Sequence, residues 1–305
     1  MKRNILFCFL LLSINLSLFS QNFSLDGSYP FIVDSGLDGI EIKGNQFIYK
    51  FYYYDYLPDK AIDYSFIHID GMPFLKFSEP FLVEVSPKYR YENEKDFKMD
   101  DKMLLLAGQR NGKTFIIGTT TGFIEEYPST EPAFIESTAR AYKDASSTLV
   151  EGKTVYAIDN LCKTAADTPW VEAAAGYGIG ESFVIENPWN KYYPYLLIMN
   201  GYISYKKPYL YKQNGRIKEI KVTGLKSGNE QIVTVLDTPH PQTVDISFIK
   251  EAEDIKITIV SVYEGTKYED TCINYLVTFQ DEVIPYENSI GENEGKVTIR
   301  RYVGE

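Results

Sequence analysis

Histidine is nearly missing from this chain: His68 and His240 are the only two, far apart in sequence. A multi-histidine metal site, or a nucleophile paired with a histidine base, therefore has almost no material to be built from. Most hydrolase and metalloenzyme readings are weak for that reason. Basic charge is also short. The 31 Lys and Arg against 42 Asp and Glu leave a formal charge of −11, which opposes binding to a phosphate backbone, where Lys and Arg must displace counterions. No nucleic acid partner is expected. Long apolar runs are absent after residue 19, so no membrane span is expected in the mature chain. There is no long amphipathic helix, no repeat of fixed period and no low-complexity tract.

What the 305 residues do hold is apolar material, 44% of the chain, enough for real cores and against wholesale disorder. The length exceeds one average domain of roughly 100 to 200 residues, so two domains are expected. Aromatics make up 15%, with 25 Tyr among them, a composition that suits strands and carbohydrate-contacting surfaces alike.

Met1 to Asn4 form a short basic start, followed by the apolar run Ile5 to Phe19 and then Ser20, Gln21 and Asn22. This is the layout of a secretory signal peptide over residues 1–20. The run falls short of the roughly 20 residues a spanning helix needs, which disfavours a retained anchor. Export to the periplasm, the outer surface or the medium is expected. Cys8 lies inside the apolar run behind Phe7, a poor setting for lipidation. Cys162 and Cys272 then remain. In an oxidising compartment they either pair, closing a loop of about 110 residues worth roughly 4 to 5 kcal/mol, or stay as buried thiols.

From Gly27 to about Phe123 apolar residues alternate with period two, as in Ile40, Ile42, Phe47, Tyr49, Phe51 and Tyr53. Asp38-Gly39, Gly44-Asn45, Asp70-Gly71 and Asn111-Gly112 punctuate the runs, and Asn111-Gly112 predicts a hairpin between Met103–Ala107 and Thr114–Ile117. Residues 22–127 thus form a small antiparallel β domain, with the charged stretch Lys88 to Lys102 as an exposed loop. Pro128 to Pro132 reads as the start of a linker over 128–138, with a short helical turn through Ile135 to Tyr142. Apolar runs return at Tyr195–Met199, Ile217–Val222, Gln231–Leu236, Thr243–Phe248, Ile255–Val262 and Ile273–Phe279. Their spacing suits a β-sandwich or jelly roll over 139–280 rather than βαβ alternation. Residues 281–305 form a tail or an added edge strand.

Two chemical motifs fail on inspection. Gly176-Tyr177-Gly178-Ile179-Gly180 has the look of a nucleotide-binding loop, but Pro188 and Trp189 follow within a few residues and leave no room for the helix that would receive a phosphate. Close backbone approach is the better role for these glycines. Glu172 and Glu181 have the most apolar local context among the acids, yet paired-carboxylate chemistry needs two acids facing across a pocket, which sequence does not select. No catalytic residue is assigned.

Between Ala145 and Arg216 short motifs follow in order: Ala145-Ser146-Ser147, Tyr156, Asp159-Asn160-Leu161, Thr168-Pro169-Trp170-Val171-Glu172, the glycine run to Gly180-Glu181, Asn200-Gly201-Tyr202 and Asn214-Gly215-Arg216, with Asp270-Thr271-Cys272-Ile273 later. In this order they resemble discoidin-like, coagulation-factor C-type modules, and among these the glycan-binding, translocation-associated domain first recognised beside bacterial NAD glycohydrolases. The resemblance covers roughly Ala139 to Phe279. It implies an antiparallel jelly roll, galactose-binding-like in fold, without catalytic activity, that docks glycans or protein surfaces through loops at one end. It does not carry over an NAD-cleaving domain. It also implies a structural calcium ion near the Asp-Asn turn, with Asp159 and Thr168 as protein ligands. Cys162 to Asp167 form an insertion at that turn.

The expected fold is therefore all-β: a C-terminal antiparallel jelly-roll sandwich preceded by a small antiparallel β domain. The expected partner is a glycan or surface glycoconjugate, or another protein. Trp170, Tyr177, Asn200, Tyr202, Asn214 and Arg216 are the ligand-binding candidates, because sugars are held by aromatic faces and a few placed polar groups. Trp170, between Pro169 and Val171, reads first as a core anchor and second as a sugar-stacking platform, and Trp189, Tyr192 and Tyr193 are further loop aromatics. Two other classes remain: an enzyme using acids of the first domain or the domain interface, such as Asp70 or Glu84, and a structural envelope component.

Overall fold

The computed structural model describes residues 24–33, 36–50, 60–84, 97–119, 125–128, 141–163 and 166–286. The segments expected to form the signal peptide, most of the linker and the last nineteen residues lie outside the described residues, as does the expected helical turn up to residue 140; Tyr142 at its end is strand, paired with Ile185. Ser24–Glu287 form one compact unit.

Eight strands follow one another as an antiparallel meander: β1 (Gly27–Val33), β2 (Gly36–Lys43), β3 (Gln46–Lys50), β4 (Lys60–Ile69), β5 (Met72–Glu84), β6 (Phe97–Arg110), β7 (Lys113–Thr119) and β8 (Glu125–Pro128). The sheet curls until β1 approaches β7 and β8. Two of its hairpins are closed by the dipeptides that predict them. Asp70 and Gly71 (φ 52° and 87°) and Asn111 and Gly112 (φ 52° and 74°) all sit in the left-handed region that tight primed turns require. One expectation is corrected: Phe97 to Lys102 belong to β6, not to a loop, because β5 is long enough to pair with them from Phe81–Asp100 to Glu84–Phe97.

The second sheet contains β9 (Tyr142–Lys143), β12 (Trp170–Val171), β13 (Ser182–Ile185), β14 (Tyr195–Asn200), β15 (Gly215–Gly224), β16 (Glu230–Thr234), β17 (Gln242–Asp245), β18 (Ile255–Tyr263) and β19 (Thr271–Phe279); β10 (Val150–Glu151) and β11 (Thr154–Val155) make a separate hairpin. The path β17-β14-β19-β15-β18-β13-β9 is antiparallel except for a two-residue parallel contact of β15 with β19. Its apolar face closes around Trp170, Phe183, Leu196, Ile198, Ile217, Ile257 and Leu276. This is the expected jelly roll. A 3-10 turn, Ile158–Cys162, and one helical turn, α1 (Leu210–Gln213), interrupt the strands.

The two sheets share a second core. Met72, Phe74, Leu104, Leu106, Phe115 and Ile117 from β5 to β7 pack against Leu197, Met199, Tyr211, Tyr275 and Val277. The alternate residues of the same strands, Leu75, Leu105 and Ile116, are also fully buried, so these strands are apolar on both faces, which corrects the period-two alternation expected through this part of the chain. Polar ties cross the same seam: the Ala107 amide donates to His240 Nδ1 (3.0 Å), Arg110 pairs with Asp281 (2.6 Å), and β20 (Val283–Pro285) adds to β6.

Candidate functional site

A cleft of about 440 Å³ opens at the end of the jelly roll where β14 finishes and β15 and β19 begin. Three separate stretches build it. The β10–β11 hairpin brings Glu151 and Tyr156, the segment from β14 through α1 brings Tyr202, Lys207, Tyr209, Gln213 and Asn214, and the loop before β19 brings Lys267, Tyr268 and Asp270, over an apolar floor of Leu149, Val171, Leu210 and Cys272.

These loops are fixed by tight backbone contacts. Gly201 has φ 85°, and a Cβ there would lie 2.8 Å from the Tyr211 ring, so the turn after β14 needs glycine. A Cβ on Gly265 would lie 2.4 Å from the Gln213 carbonyl oxygen. That approach lets Thr266, Lys267 and Tyr268 donate their amides to the carbonyls of Lys212 and Gln213 at the end of α1. Gly178 lies directly over the Glu172 carboxyl, where a Cβ would come within 2.5 Å.

The cleft is aromatic and charged together. The Tyr156 and Tyr202 rings meet edge-on with centroids 6.2 Å apart, and Tyr156 donates its hydroxyl to Glu151 Oε2 at 3.1 Å. Burial, and then the neighbouring Tyr156, push the Tyr202 phenol far above its ordinary value, so it is a neutral donor at any physiological pH. Burial, and then the charge of Glu151, raise the Asp270 carboxyl. Among the described residues Glu151, Lys207, Lys267 and Asp270 make no ion pair with one another or with any other side chain. Lys267 instead lies 4.7 Å over the Tyr268 ring.

Of the six ligand candidates, Tyr202 and Asn214 line this cleft, and Asn214 also donates its side-chain amide to the Leu210 carbonyl of α1. Tyr177 packs behind it, against Gly215, with its hydroxyl toward the Gly265 carbonyl. The other three are placed out of a ligand's reach. Trp170 has no exposed surface; its ring meets Phe183 at 5.1 Å and its Nε1 donates to the Ser147 carbonyl, which makes it a core anchor and corrects the stacking option. Asn200 is fully buried and bonds the amide and carbonyl of Ile217 like an extra strand residue. Arg216, 4% exposed, forks onto Asp237 and donates to the carbonyls of Tyr211 and Asn214. Its guanidinium fixes α1 from behind instead of contacting ligand.

The disulfide option is corrected too. Cys162 and Cys272 are both free thiols: Cys272 is buried on β19, and Cys162 turns its Sγ to the Asp159 carbonyl at the end of the 3-10 turn. At the Asp-Asn turn the residues do not fit a calcium ion, which wants six to eight oxygens. Lys163 places its ammonium on the Asn160 side-chain oxygen at 2.8 Å, and the Asn160 amide is turned to the Pro169 carbonyl. Among the described residues no three His, Cys, Asp or Glu side chains gather as a metal set, around Asp159 and Thr168 or elsewhere. Glu172 is fully buried and accepts amides of Thr271 and Ala174; Glu181 accepts the hydroxyls of Ser146 and Ser147. Both carboxylates organise backbone. Asp70 occupies an exposed hairpin turn, and the Glu84 side chain lies outside the described residues.

Sequence reasoning missed Glu151, Lys207, Tyr209, Lys267, Tyr268 and Asp270. The available signal was the Lys267–Asp270 stretch of charge and aromatic immediately before an apolar strand.

Comparison with known proteins agrees with the resemblance carried by the motifs. Residues 135–280 match the model of the NAD glycohydrolase translocation F5/8 type C domain. Among curated proteins nothing matches. Solved structures similar to the chain include the family 32 carbohydrate-binding module of C. perfringens NanJ in complex with galactose (19% identity, TM-score 0.35, covering 49% of this chain and 96% of that one). They also include the family 32 carbohydrate-binding module of Streptococcus pneumoniae EndoD (12% identity, TM-score 0.35, covering 46% and 95%).

Proposed function

We propose that this is an exported protein whose jelly roll binds a glycan in the tyrosine-lined cleft without transforming it. The observation that carries the reading is the composition of that cleft: four tyrosines and two side-chain amides beside carboxylates and ammoniums that make no ion pair among the described residues. A pyranose offers an apolar C–H face to a ring and hydroxyls to carboxylate and amide groups, which is what these side chains can take up. Tyr209, 41% exposed, is the most open of the four cleft rings. Asp270 and Glu151 accept hydroxyls, and Gln213 and Asn214 donate or accept. The match of residues 135–280 to a translocation-associated F5/8 type C domain supports a docking role. Among the described residues no helix is long and apolar enough to cross a membrane.

The crowded pair Asp270 and Glu151, with the Asp270 carboxyl raised, favours hydrolysis as the second reading. A glycan array with the wild-type protein and Tyr209→Ala and Asp270→Asn variants separates the two. Binding without release of reducing ends, weakened about tenfold or more by either variant, is expected. Retention of no saccharide, or equal retention by the variants, would defeat the binding reading, and steady product release lost in Asp270→Asn would replace it with the enzyme.

A further inference from the structure

The chain has two tryptophans, and they are treated oppositely: Trp170 is fully buried, whereas Trp189 is 64% exposed. Trp189 stands on the loop between β13 and β14. That loop leaves β13 after Ile185, which pairs with Ile255, and enters β14 at Tyr195, which pairs with Phe279. The cleft lies at the other ends of these strands, beyond Asn200 and before Thr271. Five strand steps of roughly 3.3 Å put the two places about 17 Å apart or more.

The loop is held firmly for an exposed one. Asn187 donates its side-chain amide to the Lys191 carbonyl (2.8 Å) and accepts the Lys191 amide (3.3 Å), while its carbonyl accepts the Asn190 amide (3.2 Å). Asn190 takes φ 48°, which closes the turn. From outside, Asp254 accepts the Asn187 amide (2.9 Å), and Lys143 bridges Asp254 (3.0 Å) and Glu186 (2.7 Å). A turn fixed in this way spares a ligand of the Trp189 ring the cost of ordering the backbone that carries it. None of these bonds requires the indole.

We propose that Trp189 is a second saccharide platform, at the end opposite the cleft, so that one molecule engages two sugar units of a glycan surface. The choice of sugar as ligand rests on the reading of the cleft; the existence of a presented ring does not. The loop offers one indole and the partly exposed Tyr192 among Asn187, Asn190 and Lys191. That is the scale of a single pyranose with polar groups at its edge, whereas a stable protein partner buries several hundred Å² on each side.

Because Trp170 is buried, acrylamide quenching reports chiefly on Trp189. Galactose-, glucosamine- and mannose-terminated oligosaccharides should shield Trp189 from quencher. Calorimetry should give two sites on the wild type and one on Trp189→Ala, and retention on a glycan-coated surface should fall tenfold or more in Trp189→Ala through lost avidity. Quenching unchanged at saturation overturns the platform, and binding that persists on Trp189→Ala with one site then leaves the cleft reading standing. Loss of the cleft reading has a different signature: Tyr209→Ala binds as the wild type does. Shielding by phosphatidylserine vesicles but by no oligosaccharide would assign the ring to a membrane and overturn the proposal.

Discussion

Acid should weaken this fold through one buried imidazole. His240 is 3% exposed, its Nδ1 accepts the Ala107 amide of β6 across the seam between the sheets, and its ring meets Tyr286 edge-on at 5.7 Å. Burial, and then the nearby His68 of β4, push its pKa down to about 3. Protonation would turn the acceptor into a donor facing a donor. The unfolded chain takes the proton near pH 6.5, the folded one near 3, so stability from this group is complete above pH 6.5 and is lost as pH falls toward 3. At about 1.4 kcal/mol per unit, the loss reaches roughly 2 kcal/mol by pH 5 and levels near 5 kcal/mol below pH 3. The assay is urea unfolding of the wild type and His240→Asn at pH 8, 6.5 and 5. Asparagine keeps an acceptor for Ala107 and does not titrate. His68, shifted the same way by burial and by Lys212, is present in both proteins and cancels in the difference. The wild type should lose about 2 kcal/mol more than His240→Asn between pH 8 and 5. Parallel pH dependences for the two proteins would refute the reasoning.

Arg216→Met should cost about 3 kcal/mol, because it strips Asp237 of its fork; burial alone would raise that carboxyl, and Arg216 overrides it. Urea midpoints check this. Gly265→Ala should cost about 1 to 3 kcal/mol and loosen the cleft, since its Cβ meets backbone at 2.4 Å; the melting temperature and glycan affinity should fall together. With dithionitrobenzoate, Cys272 should stay silent until the protein unfolds, since it is fully buried and its thiol is pushed well up by that burial. Denatured without reductant, both Cys162 and Cys272 should titrate as thiols; a pair that titrates only after reduction would contradict their free state.

The hairpins and the six C-terminal runs were legible because turn dipeptides and period-two patterning are local signals. Asn111-Gly112 needs no tertiary context to choose its turn. Phe97 to Lys102 misled because their charge argues for solvent while the open edge of β5 supplies pairing. Burial direction was legible only in part. Thr168-Pro169-Trp170 reads the same whether the indole points inward or outward, and only the pairing of β12 with Ile273 and Cys272 of β19 turns it to the core. Half of the cleft was hidden for a further reason: Glu151, Lys207 and Asp270 come from stretches separated by more than fifty residues, and no local pattern links them.

The first sheet matters to the cleft through α1. A single helical turn cannot hold itself in water, because nucleation costs more than one turn of hydrogen bonds returns; α1 is therefore shaped by what touches it. Its cleft side carries Leu210, Gln213 and Asn214. Behind it, Arg216 donates to the Tyr211 carbonyl, and its guanidinium lies 5.1 Å from the Tyr211 ring. The third support is the hairpin turn between β4 and β5. Gly71 sits so close that a Cβ would lie 2.6 Å from Lys212 Cε and 3.2 Å from the Tyr211 ring. The lysine end can move, but the tyrosine, fully buried and donating to Asp237, has nowhere to go. With φ 87° at Gly71, alanine is strained in the turn and crowded against α1 at once. Gly71→Ala should therefore weaken glycan binding although residue 71 contacts no ligand, whereas Gly112→Ala, at a hairpin tip with open space around it, should cost stability alone. Equal glycan affinities for the two variants at a temperature where both are folded would mean that α1 is set by the jelly roll without the first sheet.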